Sequence, residues 1–212
     1  MIVADLAHSR CDCYLFCQVL RYAGEEQKLP EIVMPRLQTR EESTLSDECL
    51  EVFKPLRISG KLPEVYLQFA NSEPAVMAYL GMEKSLQEVS LSALEIEAIK
   101  LFVSQITQCE YCLSVHTMKA KKAGMDEEFQ MAVRSNRPTN NAKVDALLAI
   151  VNAFFKTPGV LDDKLLDDAR SAGITDEQLV ATAMVVSTIF FTNITNHINN
   201  SVSVLAPAPV VS

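Results

Sequence analysis

Four side chains of this sequence have the types and spacing for chemistry. Glu97, Cys109, Cys112 and His116 follow the pattern Glu-x11-Cys-x2-Cys-x3-His. Two thiols, an imidazole and a carboxylate are the parts of thiol redox chemistry with a proton relay, because the thiolate is the nucleophile and something must move its proton. Their spacing also says how they must be held. Ser92-x-x-Glu95 and Thr107-x-x-Glu110 read as capping boxes, so two consecutive helices are predicted over 93–106 and 108–123. The second closes on Lys121 and Lys122 with Gly124 just beyond, as helix C-termini favour. Cys109 is then expected in the first turn of that helix and Cys112 in the next. Amides and the positive dipole end at a helix start lower a thiol's pKa. Residues three apart on a helix have Cβ atoms about 5–6 Å apart, so the pair can close a disulfide. His116 falls one turn beyond Cys112 on the same face. Glu97 must reach that face from the preceding helix, which requires the two helices to cross at an angle. It sits between Ile96 and the apolar run from Ile99 to Phe102, and partial burial there is expected to raise its pKa.

The same residues have plainer readings. Cys109, Cys112 and His116 are three ligands of a conceivable zinc site with an open position, but Glu97 has no part in it. His8 and His197 read as ordinary histidines. Tyr111 reads as a packing residue with a role in access.

The four-residue pattern resembles that of the AhpD-like alkylhydroperoxidases of the carboxymuconolactone decarboxylase superfamily, and the resemblance extends over about residues 43–200. It implies an all-α fold, a helical bundle built as a two-lobed pseudo-repeat. It further implies that Cys112 attacks a peroxide, that Cys109 resolves the product into a disulfide, and that Glu97 and His116 form the relay. No cofactor or metal is implied. The implied partners are a peroxide, an external dithiol of the lipoyl or thioredoxin type, and further copies of the chain in a trimer or hexamer. The sequence departs from the best-known peroxidases of the family at Tyr111, where they carry a further histidine. The helix dipole alone favours Cys109 as the more acidic thiol, so the attacking role of Cys112 comes from the resemblance. Two alternatives are a lyase like the superfamily's namesake decarboxylases, which would leave the thiol pair without a task, and a non-catalytic redox switch or scaffold.

Composition narrows the field. The chain has 212 residues, 49% hydrophobic and 22% charged, enough to bury a sizeable core. A formal net charge of −8 leaves no basic stripe for phosphates, against nucleic-acid binding. No apolar run reaches the ~18 residues that suggest a membrane span, and the opening residues lack a basic n-region and a clean apolar stretch. With six cysteines and no secretory pattern, a reducing, cytoplasmic setting is expected.

Around the site, helical patterns are predicted over 45–56, 74–88, 142–156, 162–171 and 176–191, with short elements at 64–70 and 126–133. Cys49 falls on an apolar face and reads as a core residue, and Gly81 reads as a point of close packing. Residues 1–33, with Cys11, Cys13 and Cys17, are expected to be an appendage in a short apolar helix. Residues 34–200 form the helical domain, its first lobe ending near 135 and its second running over 141–200. The tail, 201–212, is expected to be extended, loose or laid on a partner subunit. Sliding the chain by 83 residues places Leu91–His116 over Ile174–Asn199, with capping boxes in the same frame at Ser92 and Thr175. This suggests a repeat whose first hairpin keeps the chemistry and whose second keeps only the packing.

Overall fold

The computed structural model describes residues 34–157 and 159–211. The expectations for residues 1–33 lie outside the described residues. Among those described, the chain forms nine α-helices joined by short turns. The described residues include no strand, only an isolated antiparallel bridge between Ile58 and Lys61. The helices are α1 (Asp47–Phe53), α2 (Glu64–Phe69), α3 (Glu73–Ser85), α4 (Ala93–Ile106), α5 (Glu110–Lys122), α6 (Glu127–Arg134), α7 (Ala142–Lys156), α8 (Asp163–Ser171) and α9 (Asp176–Asn199). Most starts are fixed by a side-chain oxygen accepting from a first-turn amide: Ser46, Ser92, Asp126, Asn141, Asp162 and Thr175 all do so. Gly124 and Gly173, at φ 98° and 84°, turn the chain out of α5 and α8 through the left-handed region.

α4 is the axis. Ala98, Ile99, Leu101, Phe102 and Val103 are all buried, so the helix is apolar nearly all round, and α5, α6, α7 and α9 pack about it. Full burial of such a side chain is worth about 1.5–3 kcal/mol, which makes α4 the element the others condense on. One hydrophobic cluster joins α4–α9, and a second, around Cys49, Phe53, Phe69 and Val76, holds α1–α3. Phe191 of α9 enters this second cluster and stacks on Tyr79 with ring centroids 5.2 Å apart. α3 is also tied to α4 by a buried ion pair, with Lys100 Nζ 2.7 Å from both Glu83 carboxylate oxygens.

Three expectations are corrected. α9 runs on to Asn199, past its predicted end near 191. The polar run from Thr192 onward does not break the helix, because Asn193, Asn196 and Asn199 recur at three-residue spacing and point inward, each hydrogen-bonded in the body of the protein. By length and composition this helix is apolar enough to cross a membrane. Here its inner face is a core face that also buries Gln178, Thr182 and Thr188. Second, the two stretches suggested as a repeat share a capped start and then part: the first folds back at 107–109 while α9 continues straight. Third, among the described residues there is no close approach at Gly81, where an added Cβ would meet nothing within 4 Å.

The tail lies on the protein's own body. Arg134 donates through Nη1 to the Pro209 carbonyl at 2.6 Å, and Ala208 packs against the main cluster.

Candidate active site

The site is built at the elbow between α4 and α5. Both halves of the Ser92–Glu95 capping box form and fix where α4 begins, which sets the rotational phase of Glu97. At the other end the Thr107 hydroxyl donates back to the Val103 carbonyl, and Gln108 takes a left-handed conformation at φ 56°. The expected Thr107 capping box is therefore absent, since Thr107 closes the helix before it. The N-cap of α5 is Cys109 itself, whose sulfur accepts from the Cys112 amide at 3.4 Å. Cys109 thus stands just ahead of the first turn and Cys112 at its third position. Both lie within reach of the helix's positive end.

The structure brings the four predicted side chains together in two pairs. The Cys109 and Cys112 sulfurs lie within bonding reach, with Cα atoms 5.3 Å apart. Both residues are buried, at 2% and 3% exposure. His116 Nδ1 lies 2.7 Å from Glu97 Oε2, a contact between α5 and α4 with both side chains nearly sealed from solvent. His116 stands one turn along α5 from Cys112.

The electrostatics correct one expectation. Burial pushes Glu97 up, as its neighbours in sequence suggested. The hydrogen bond and charge of His116, with Lys119 and Lys100 nearby, more than offset it and hold the carboxyl below its usual range. His116 is also held low: burial is the largest influence and outweighs the pull of Glu97. At neutral pH this describes a carboxylate accepting from the Nδ1–H of a neutral imidazole, whose Nε2 then carries a lone pair able to take a proton.

Several residues at the site carry no local signal in the sequence. Asn196 of α9 donates through Nδ2 to the Cys112 sulfur at 3.4 Å, while its Oδ1 is buried without a partner. Asn193 donates to the Thr107 hydroxyl at 2.6 Å, and His197 Nε2 donates to the Thr107 carbonyl at 2.8 Å, so α9 pins the elbow. Tyr66 and Tyr79, from α2 and α3, lie near Tyr111. Burial raises all three phenols, Tyr66 up to about 12, so they stay protonated donors at neutral pH. A spacing search misses these residues because they arrive from distant elements.

A polar cavity of about 170 Å³ opens onto Cys109, Tyr111, Asn196 and His197. A second, of about 300 Å³, shares Tyr111 and is bounded by Gln68 and Asn199. Tyr111 therefore lines both cavities. The apolar cavity of about 380 Å³ between α7, α8 and α9 has no titratable residue in its lining and lies apart from this chemistry. Among the described residues no group of three or more Cys, His, Asp or Glu side chains is arranged to hold a metal ion.

An all-α body of this kind has counterparts among known proteins. Residues 73–153 match the Carboxymuconolactone decarboxylase family. That stretch runs from α3 into α7 and holds Glu97, Cys109, Cys112 and His116. The fold is shared with the alkylhydroperoxidase AhpD core of a peroxidase-related protein from Ralstonia eutropha JMP134, with TM-score 0.68 and 19% identity over 82% of this chain and 92% of that one. It is shared with a peroxidase-related protein from Silicibacter sp. TM1040, with TM-score 0.63 and 22% identity over 86% and 95%. It is also shared with the debrominase Bmp8, solved with 2,3,4-tribromopyrrole, at TM-score 0.63 and 20% identity over 81% and 91%. No curated protein matches the chain in sequence.

Proposed function

We infer that the protein is a cofactor-free thiol peroxidase that reduces hydrogen peroxide or alkyl hydroperoxides through a Cys109–Cys112 cycle. The observation that carries this reading is the juxtaposition, at one helix elbow, of two sulfurs within bonding reach and a buried imidazole–carboxylate pair. His116, kept neutral by burial and oriented by Glu97, takes the Cys112 proton. The thiolate attacks the terminal oxygen of ROOH, the O–O bond breaks, and Cys112 becomes a sulfenic acid while RO⁻ leaves and takes the relayed proton as ROH. The Cys109 thiol then displaces water from the sulfenic sulfur to form the disulfide. An external dithiol, of lipoyl or thioredoxin type, reduces it by exchange and is itself oxidised. The sum is ROOH plus dithiol giving ROH, water and the external disulfide.

The likeness of fold to the debrominase supports a second reading with the same dithiol, in which an aryl C–Br bond is reduced to C–H and bromide leaves. Assembly into a homo-oligomer, a trimer or hexamer, is supported by the family and by Val180, Phe190, Ile194 and Ile198, which stand exposed along one side of α9. A reducing, cytoplasmic setting is supported by the unpaired, buried Cys49.

The deciding experiment is thiol mass spectrometry after stoichiometric peroxide. Wild type should gain a single 109–112 bridge, and Cys109→Ser should trap a sulfenic acid on Cys112. A lyase of the decarboxylase kind would keep its activity in Cys112→Ser, and a mere switch would form the bridge without turnover in excess dithiol. Either result would overturn the peroxidase reading.

A further inference from the structure

The Cys109 and Cys112 sulfurs come from a helix start that supplies backbone amides, but one side-chain donor also reaches them, and it comes from another element. Asn196 is 5% exposed, is carried by α9, and directs its Nδ2 to the Cys112 sulfur at 3.4 Å. Its Oδ1 is one of three buried side-chain oxygens or nitrogens, among the described residues, without a hydrogen-bond partner. Burying an amide with one side unsatisfied costs free energy, so this arrangement needs a reason. The state of the sulfurs supplies it. A bonded pair has no S–H to give, so an acceptor beside it has nothing to accept. Reduction creates an S–H, and oxidation of Cys112 by a peroxide creates an S–O–H; either can donate to Oδ1. An amide carries donors and an acceptor on one rigid plane without charge, able to serve a thiolate through N–H and a protonated species through its oxygen.

We propose that Asn196 is a catalytic residue of the thiol pair, donating to the Cys112 sulfur as thiolate and holding it as the reactive one of the two. The proposal deepens the thiol-cycle reading and rests on it for its place in the cycle. It also gives Cys112 an acidity advantage that the helix dipole alone assigns to Cys109. The other titratable groups around the site are His116 with Glu97, Lys100 and Lys119 about it, and Glu110 and His197, which line the cavity beside Cys109. All of them are unchanged in the variants below, so a difference in acidity reports on Asn196.

The test reads the pH dependence of Cys112 alkylation by iodoacetamide in full-length Cys109→Ser protein. Adding Asn196→Ala removes the donor and should raise the apparent pKa of Cys112 by about one unit, slowing alkylation about tenfold below that pKa. Adding Asn196→Asp keeps the shape, exchanges the amide for a carboxylate and should raise it further. Loss of packing alone would change the thermal midpoint without ordering the apparent pKa values of Cys112 as Asp above Ala above Asn. Alkylation profiles unchanged in both variants would overturn the proposal. If the variants fail to fold, the wild-type side-chain amide resonances of Asn196 decide: they should shift on reduction and titrate with the thiolate, and indifference to both would overturn it. No peroxide enters these measurements. A protein that shows the ordering but does not turn over peroxide therefore keeps Asn196 as the thiolate's partner and loses only the oxidant.

Discussion

His116 Nδ1 and Glu97 Oε2 meet at 2.7 Å across the α4–α5 crossing, with the two side chains 9% and 12% exposed. Both groups have pKa values below their ordinary ranges: Glu97 because His116 and two lysines outweigh its burial, His116 because burial outweighs Glu97. A depressed folded-state pKa gives stability that is complete above the unfolded value and lost as pH falls toward the folded one. For His116 that loss begins below about pH 6.5, and for Glu97 below about pH 4.3. Unfolding free energies from urea denaturation should therefore fall between pH 6.5 and 5.5, by at most about 1.4 kcal/mol per pH unit from the histidine. The fall should be smaller in His116→Gln. Equal slopes in the two proteins would remove the buried neutral imidazole.

In the proposed cycle the carboxylate holds the imidazole with its proton on Nδ1. Glu97→Gln retains the shape and loses the anion, so peroxide-driven bridge formation should slow roughly a hundredfold, the lower end of what a positioned proton-transfer group contributes. Stopped-flow loss of thiols at neutral pH measures this. A rate within a factor of two of wild type would take Glu97 out of the relay.

Lys100 is the buried cation of α4, its side chain 4% exposed and clamped by both oxygens of Glu83. Removing the partner by Glu83→Ala strands that charge, at a cost of about 3–5 kcal/mol. The double change Glu83→Leu with Lys100→Met replaces the pair with apolar volume and should recover most of the loss. Chemical denaturation of the three proteins checks the order.

Cys49 lies in the α1–α3 cluster with no exposed surface, and burial raises its thiol pKa further. In the native reduced protein its alkylation should lag far behind that of Cys109 and Cys112 and then appear together with global unfolding. Peptide mapping of a timed iodoacetamide reaction would show it, and early labelling of Cys49 would mean that the cluster opens locally.

The four chemical residues were legible because they lie within twenty positions and two helices, where periodicity converts spacing into geometry. The caps at Ser92 and Thr175 were readable for the same reason. Thr107 was misread: its hydroxyl had a nearer partner in Val103, and Cys109 took the capping place. The burial of Glu97 could be anticipated but not the sign of its pKa, which His116, Lys100 and Lys119 decide in three dimensions. The end of α9 was hidden by polarity, since Asn193, Asn196 and Asn199 look like a stop until their partners on other elements are known.

Those asparagines set a limit on portability. The segment that resembles the family, residues 73–153, contains all four reagents, yet one wall of their compartment arrives 84 residues after Cys112. An α4–α5 hairpin transplanted into a foreign scaffold would carry its reactive groups into open water, where a thiol is ordinary. Part of what surrounds these sulfurs is owned by the later half of the chain.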